Sequence, residues 1–183
     1  SNLLHSLKYE PRLVVNVGSC VEYGILEENV PVNEDRMLSP TNLYGAVKSS
    51  STLINTQLAR DEGVPLIDIR LFGVFGEGEA GCRLMPYLID RLEADLPVEL
   101  TSGEQRRDFL YIDDVISAFL TMWDNTKKLL ELEHDVYNVC SGVPVKVGDY
   151  INLVASHLDK SLGLLKWGKV ARSDEPTWVV GSN

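Results

Sequence analysis

The sequence predicts an α/β fold, with a parallel sheet carrying a small second lobe. Three observations predict it. Short, apolar, β-branched runs at 12–17, 64–71 and 136–139 alternate with stretches of helical periodicity, the pattern of strand–helix–strand crossovers. The region after Gly76 is less regular than a plain crossover run, as expected of a lobe packed on the sheet. A chain of 183 residues, 44% of them hydrophobic, can fill one core and a small lobe besides.

The elements follow in order. Residues 12–17 form a buried strand ending at Gly18-Ser19, followed by turn residues Pro31, Asn33, Pro40 and Asn42. Residues 44–60 carry helical spacing through Ala46, Val47, Leu53, Ile54 and Leu58, and Gly63 supplies a stop signal. A second buried strand occupies 64–71 and a glycine-rich loop 76–81. A helix at 84–92 accommodates Pro86 in its first turn. A short strand at 98–100 precedes a strand-like stretch, 109–114, that runs into an apolar helix at 115–123. Residues 127–134 read as a charged connector, 136–139 as a strand and 147–158 as a helix, and the tail from Trp167 is mixed.

Charge and composition narrow the function. Seventeen Lys+Arg against twenty-seven Asp+Glu give a net charge of −10, which repels a phosphate backbone and argues against nucleic acid as a partner. No apolar run approaches a membrane span and no signal segment opens the chain. Cys20, Cys82 and Cys140 are odd in number and widely spaced, which predicts reduced thiols and a cytoplasmic setting. His5, His134 and His157 lack metal-ligand spacing.

Tyr44 and Lys48 lie four apart, on one helical face. A cation beside a phenol favours proton exchange at working pH, which suits oxidation or reduction at a carbonyl or alcohol carbon. The pair taken alone also fits an exposed helix surface. Ser19 stands just past the carboxyl end of a buried strand, where open α/β sheets bind ligands. Its hydroxyl can meet the same substrate oxygen, or can merely satisfy a turn.

Four ordered blocks carry a family resemblance: Gly18-Ser-Cys-Val-Glu-Tyr-Gly24, Pro40-Thr-Asn-Leu-Tyr-Gly-Ala-Val-Lys48, Arg70-Leu-Phe-Gly-Val-Phe-Gly76 and Arg107-Asp-Phe-Leu-Tyr-Ile-Asp-Asp114. The chain resembles the extended short-chain dehydrogenases/reductases, in particular the NAD-dependent epimerase/dehydratase family acting on nucleotide sugars. It matches about the last three-fifths of such a protein. No GxxGxxG unit precedes Ser19, and a strand at 13–17 without its usual neighbour would present a bare apolar edge. Gly76-Glu-Gly-Glu-Ala-Gly81 fits GxGxxG, but Glu77 and Glu79 would oppose a pyrophosphate.

The resemblance implies the C-terminal part of a Rossmann-like sheet in 1–76, with Ser19 and the Tyr44/Lys48 pair, and a mainly substrate-binding lobe in 77–183 with interleaved returning strands. It implies NAD or NADP as cofactor, met by Tyr44, Lys48, Phe72 and Val74. The implied partner is a nucleoside-diphosphate sugar, met by Arg83, Arg107 and Arg172, and the helix bearing Tyr44 and Lys48 would serve as a homodimer contact. Guanidinium groups fork onto phosphate oxygens, which fits the arginines. Arg83 stands where the family usually carries Asn, and Arg172 equally fits a surface charge cluster.

Family dehydratases place acids directly after the serine or threonine. Cys20 and Val21 stand there in this chain, and Glu22 would point to the opposite face if the strand continued. The expectation is therefore redox chemistry at C4 of the sugar, as a 4-epimerase or a 4-ketoreductase. A truncated, non-catalytic nucleotide-sugar-binding fragment and a structural α/β scaffold are the alternative readings.

Overall fold

A computed structural model describes residues 11–132, 135–171 and 176–182. The helix-like stretch 3–9, His5, His134 and the 172–175 segment with Arg172 lie outside the described residues. The elements are β1 (Val14–Ser19), a 3₁₀ turn (Cys20–Tyr23), α1 (Leu43–Glu62), β2 (Leu66–Leu71), β3 (Gly73–Phe75), α2 (Leu84–Glu93), β4 (Val98–Glu99) and β5 (Arg106–Arg107). There follow β6 (Phe109–Tyr111), α3 (Ile112–Asp124), α4 (Thr126–Glu131), β7 (Val136–Val139), β8 (Val145–Lys146), α5 (Val147–His157), a second 3₁₀ turn (Leu162–Leu164), β9 (Leu165–Lys166) and β10 (Trp178–Val179).

The main sheet runs β1-β2-β7, all parallel, and its register sets Ser19 level with Leu71 and Leu71 level with Val139. Three carboxyl ends therefore finish on one line. Among the described residues β1 is an edge strand, with Val17 partly exposed. Ile67 and Ile69 point to one face of β2 and pack with Leu110, Val115 and Val139, while Ala118, Phe119 and Met122 of α3 cover them. Asp68 and Arg70 alternate onto the other face, towards α1 and the first 3₁₀ turn.

Helix α1 forms where its periodicity predicts, but it buries a different face. Gly45, Ser49, Thr52 and Ala59 turn inwards, while Val47, Leu53 and Ile54 are exposed. Small residues are required here because helix and strand tip meet closely: a Cβ on Gly45 would lie 2.8 Å from the Val21 carbonyl oxygen. Asn42 caps the helix by accepting the Gly45 N–H at 2.8 Å, and Gly63 closes it in the left-handed conformation.

A second core, built from Leu88, Leu92, Val98, Leu100, Val147, Ile151, Ala155 and Leu165, joins α2, α5 and the β4-β9 pair into a lobe. Phe109 stacks on Tyr150 at 4.4 Å and joins this lobe to the strands of the sheet body. Two sequence expectations need correction. The stretch 109–114 is strand only to Tyr111, because Asp113 and Asp114 favour the first turn of α3. The connector 127–134 is helical over Thr126–Glu131, following directly on α3 at Asn125.

Asp108, 1% exposed, knits these parts together. Its carboxylate accepts from the Ser141 amide and hydroxyl (2.7 Å each), the Gly142 amide (2.9 Å) and the Gly181 amide (3.3 Å). Asp108→Ala leaves these part-buried or buried donors without their acceptor. Denaturant unfolding should show a loss of at least about 3 kcal/mol; a loss under about 1 kcal/mol would contradict this role.

Candidate active site

The site begins with how β1 stops. Ser19 is still extended (φ −156°, ψ 148°), and the chain then turns into the 3₁₀ segment instead of continuing as strand. This overturns the expectation that Glu22 points away on a continuing strand. The turn carries Glu22 back beneath the strand tip, where Oε1 accepts the Ser19 N–H at 2.7 Å. The Ser19 Oγ accepts, weakly at 3.5 Å, from the Val21 N–H.

Tyr44 stands in the first turn of α1, 58% exposed. One turn on, the Lys48 Nζ donates to the Val17 carbonyl at 2.7 Å and lies 5.9 Å from the centre of the Tyr44 ring. The Lys48 ammonium therefore lies near the Tyr44 ring and is bonded to the backbone of β1 two residues before Ser19. Burial pushes the neighbouring Cys20 thiol up to about 12, with the Ser19 hydroxyl and Arg107 opposing, so it stays a neutral thiol at ordinary pH.

A cavity of about 650 Å³ opens between the sheet body and the lobe. Val74, Arg83, Tyr87, Gln105, Arg107 and Phe109 line it, whereas Ser19, Tyr44 and Lys48 are not among its lining residues. The Arg83 Nε pairs with the Glu79 carboxylate at 3.3 Å, and the Arg107 Nη1 donates to the Arg106 carbonyl at 2.8 Å. Phe72, 5% exposed, lies in a core with Tyr23, Leu26, Val32 and Trp178; its N–H donates to the Val139 carbonyl and its carbonyl accepts the Val74 N–H.

Sequence reasoning missed a buried polar network behind Ser19. Glu22, Asp68 and Arg70 are 0%, 1% and 4% exposed. The Arg70 Nε lies 3.7 Å from the Glu22 Oε2 and 3.6 Å from the Asp68 Oδ2. Its Nη1 donates to the Tyr23 hydroxyl at 2.8 Å, and that hydroxyl donates to Asn138 at 2.7 Å. The Thr52 hydroxyl lies 3.2 Å from Glu22 and 3.0 Å from Asp68, and the Asn16 amide also donates to Asp68. The available signal was the alternation Leu66-Ile-Asp-Ile-Arg-Leu71, two charges two apart on one face of an apolar strand.

An open parallel sheet covered by helices, with Ser19 at the end of its first strand and an arginine-lined cavity between sheet body and lobe, makes this a Rossmann-like α/β protein. The family is narrower. Residues 1–140 match the NAD dependent epimerase/dehydratase family, and the chain belongs to it. CDP-abequose synthase of Salmonella typhimurium is 31% identical over 66% of this chain and 40% of its own length. GDP-6-deoxy-D-mannose reductase of Pseudomonas aeruginosa is 27% identical over 100% of this chain and 61% of its own length. The structure of RMD from Pseudomonas aeruginosa complexed with NADPH superposes with a TM-score of 0.82 at 26% identity, covering 99% of this chain and 60% of that one. The chain thus spans about two-fifths to three-fifths of these relatives. No helix among the described residues is long and apolar enough to cross a membrane, and none of their His, Cys, Asp and Glu side chains form a metal-binding group.

Burial, reinforced by Asp68, raises the Glu22 carboxyl above its ordinary value, while the Ser19 N–H, Arg70 and Thr52 oppose. Between the unfolded and folded values the folded protein holds a proton that the unfolded chain has released. Glu22 therefore stabilises the fold less as pH rises through that window. In urea unfolding from about pH 4 to about pH 7, the stability of the unmodified protein relative to Glu22→Gln should fall as pH rises. A flat or rising difference would contradict the shift.

Proposed function

We propose that this chain carries the proton-exchanging and substrate-facing part of an NAD(P)-dependent oxidoreductase acting at C4 of a nucleoside-diphosphate sugar. The observation that carries the reading is the gathering of Tyr44 and Lys48 at the tip of β1, where Ser19 ends the strand. The names of two relatives, a CDP-sugar synthase and a GDP-sugar reductase, support the substrate class and favour reduction.

The described residues fit one end of a dinucleotide. Lys48 supplies an ammonium and Tyr44 an exposed phenol, a donor set suited to a ribose diol and a carbonyl oxygen. Val74 lines the cavity between the sheet body and the lobe. The glycine-rich loop does not fit the pyrophosphate, since it carries Glu77 and Glu79, and Glu79 already pairs with Arg83. When bound, the nicotinamide supplies or accepts the hydride.

In the reducing direction the Tyr44 hydroxyl gives its proton to the C4 oxygen as that oxygen gains negative charge. Lys48 stabilises the phenolate left behind, and the Ser19 hydroxyl orients the same oxygen. Arg107, with Arg83, meets the diphosphate from the cavity wall. Glu22 is buried inside the network, so it offers no acid beside the Ser19 hydroxyl to eliminate water.

The test is nicotinamide absorbance in the catalytically competent protein containing this chain, offered 4-keto-6-deoxy sugars and 4-hydroxy sugars of UDP, dTDP, CDP and GDP. Net oxidation of the reduced cofactor by a 4-keto sugar is expected. Interconversion of 4-hydroxy epimers without net cofactor change would replace the reductase with an epimerase. Tyr44→Phe should lower turnover by about 10²–10⁴-fold with the fold intact, and Arg107→Ala should chiefly raise KM. Full turnover in Tyr44→Phe would refute the assignment.

A further inference from the structure

The buried network behind β1 holds two carboxylates and one guanidinium, a costly set to remove from water. Two of its atoms, the Asp68 Oδ2 and the Arg70 Nε, have no hydrogen-bond partner. An apolar replacement would give a simpler core, so the reason for the arrangement lies in what it holds. Its uppermost contact is the 2.7 Å hydrogen bond from the Ser19 N–H to the Glu22 Oε1. From below, the other Glu22 oxygen faces Thr52 at 3.2 Å and Arg70 at 3.7 Å.

A second observation comes from Gly18. A Cβ there would lie 2.5 Å from the Glu22 Oε1, 3.1 Å from the Ile69 carbonyl oxygen of β2 and 3.3 Å from the Asp68 Oδ2, with Glu22 the nearest. Gly18 is not in the left-handed region, so backbone conformation does not demand glycine. Space does: the missing side chain is the room that the Glu22 carboxylate occupies. The residue before Ser19 and the residue three after it are thus matched to one contact.

We propose that Glu22 is a positioning residue for Ser19: seated in the space left by Gly18 and held by Thr52 and Arg70, its carboxylate fixes the Ser19 amide and so the direction in which the Ser19 hydroxyl leaves the strand tip. The inference rests on the reading of Ser19 as the group that orients the substrate oxygen. Glu22 itself does not reach the cavity. Its effect falls on the geometry of the reacting complex, where a small misplacement is felt in turnover more than in binding.

Three variants separate positioning from support of the fold. Glu22→Leu removes the acceptor. Glu22→Gln keeps a carbonyl that accepts the same N–H. Gly18→Ala displaces the carboxylate without changing its charge. In the C4 assay, Glu22→Leu and Gly18→Ala should each lower kcat at least about tenfold with KM within about threefold, and Glu22→Gln should restore kcat to within about threefold. Amide NMR on the same proteins should show the Ser19 N–H displaced and exchanging faster in the first two variants and unmoved in Glu22→Gln. Equal kcat in all three, or an unmoved Ser19 amide in Gly18→Ala, would overturn the proposal.

If Glu22→Leu does not fold, Gly18→Ala against Glu22→Gln makes the same comparison. In the unmodified protein the Ser19 amide should be protected from hydrogen exchange; exchange at an unprotected rate overturns the proposal without any variant. Absence of turnover on every nucleotide sugar in the unmodified protein would instead be a failure of the functional reading, and the amide measurements would then decide positioning by themselves.

Discussion

The close approach of α1 to the end of β1 is the constraint on which the rest of the site depends. Gly45 lies against the Val21 carbonyl, and the inward face continues through Ser49 and Thr52. Larger residues there would lift the helix off the sheet. With the helix seated, Lys48 reaches the Val17 carbonyl and Tyr44 stands beside it, one turn earlier. The parallel register brings Ser19, Leu71 and Val139 to one level at the carboxyl ends of the three strands.

Behind this surface the protein is unusually polar for a sheet interior. Glu22, Asp68 and Arg70 are almost fully buried, tied to α1 through Thr52 and to β7 through Tyr23 and Asn138. Such a network contributes less to stability than an apolar core of the same volume, because each charge has been desolvated. It does restrict the backbone to one arrangement at the strand tip. Asp108 acts similarly farther along, gathering amides from the segments at Ser141 and Gly181 beside Arg107. Both carboxylates lie next to a residue assigned to substrate, and both act on the backbone.

Much of the layout was legible from residue order. Apolar β-branched runs marked β1, β2 and β7, and Gly63 marked the stop of α1; Asn42, read only as a turn residue, turns out to cap it. The paired strands β3, β5 and β8 were not legible, since two or three residues carry no period and pair only with partners far along the chain. The inward face of α1 was also hidden. Its apolar residues point out, and the buried face is made of glycine, serine and threonine, which hydropathy reads as polar. Phe72 sits in one core with Trp178, more than a hundred residues farther along the chain, a placement no local pattern shows.

The sequence by itself determined the fold class, the family and the spacing that puts Tyr44 and Lys48 on one face of a helix, because these depend on local periodicity and on the order of short motifs. Only the tertiary structure decided how the chain turns after Ser19, which way Glu22 faces and what stands beneath Ser19. Those depend on a glycine's vacant volume meeting a carboxylate three residues later, and on charges from β2 and a hydroxyl from α1 closing around it. Such contacts are set by the packing of several segments at once, and no window of neighbouring residues contains them.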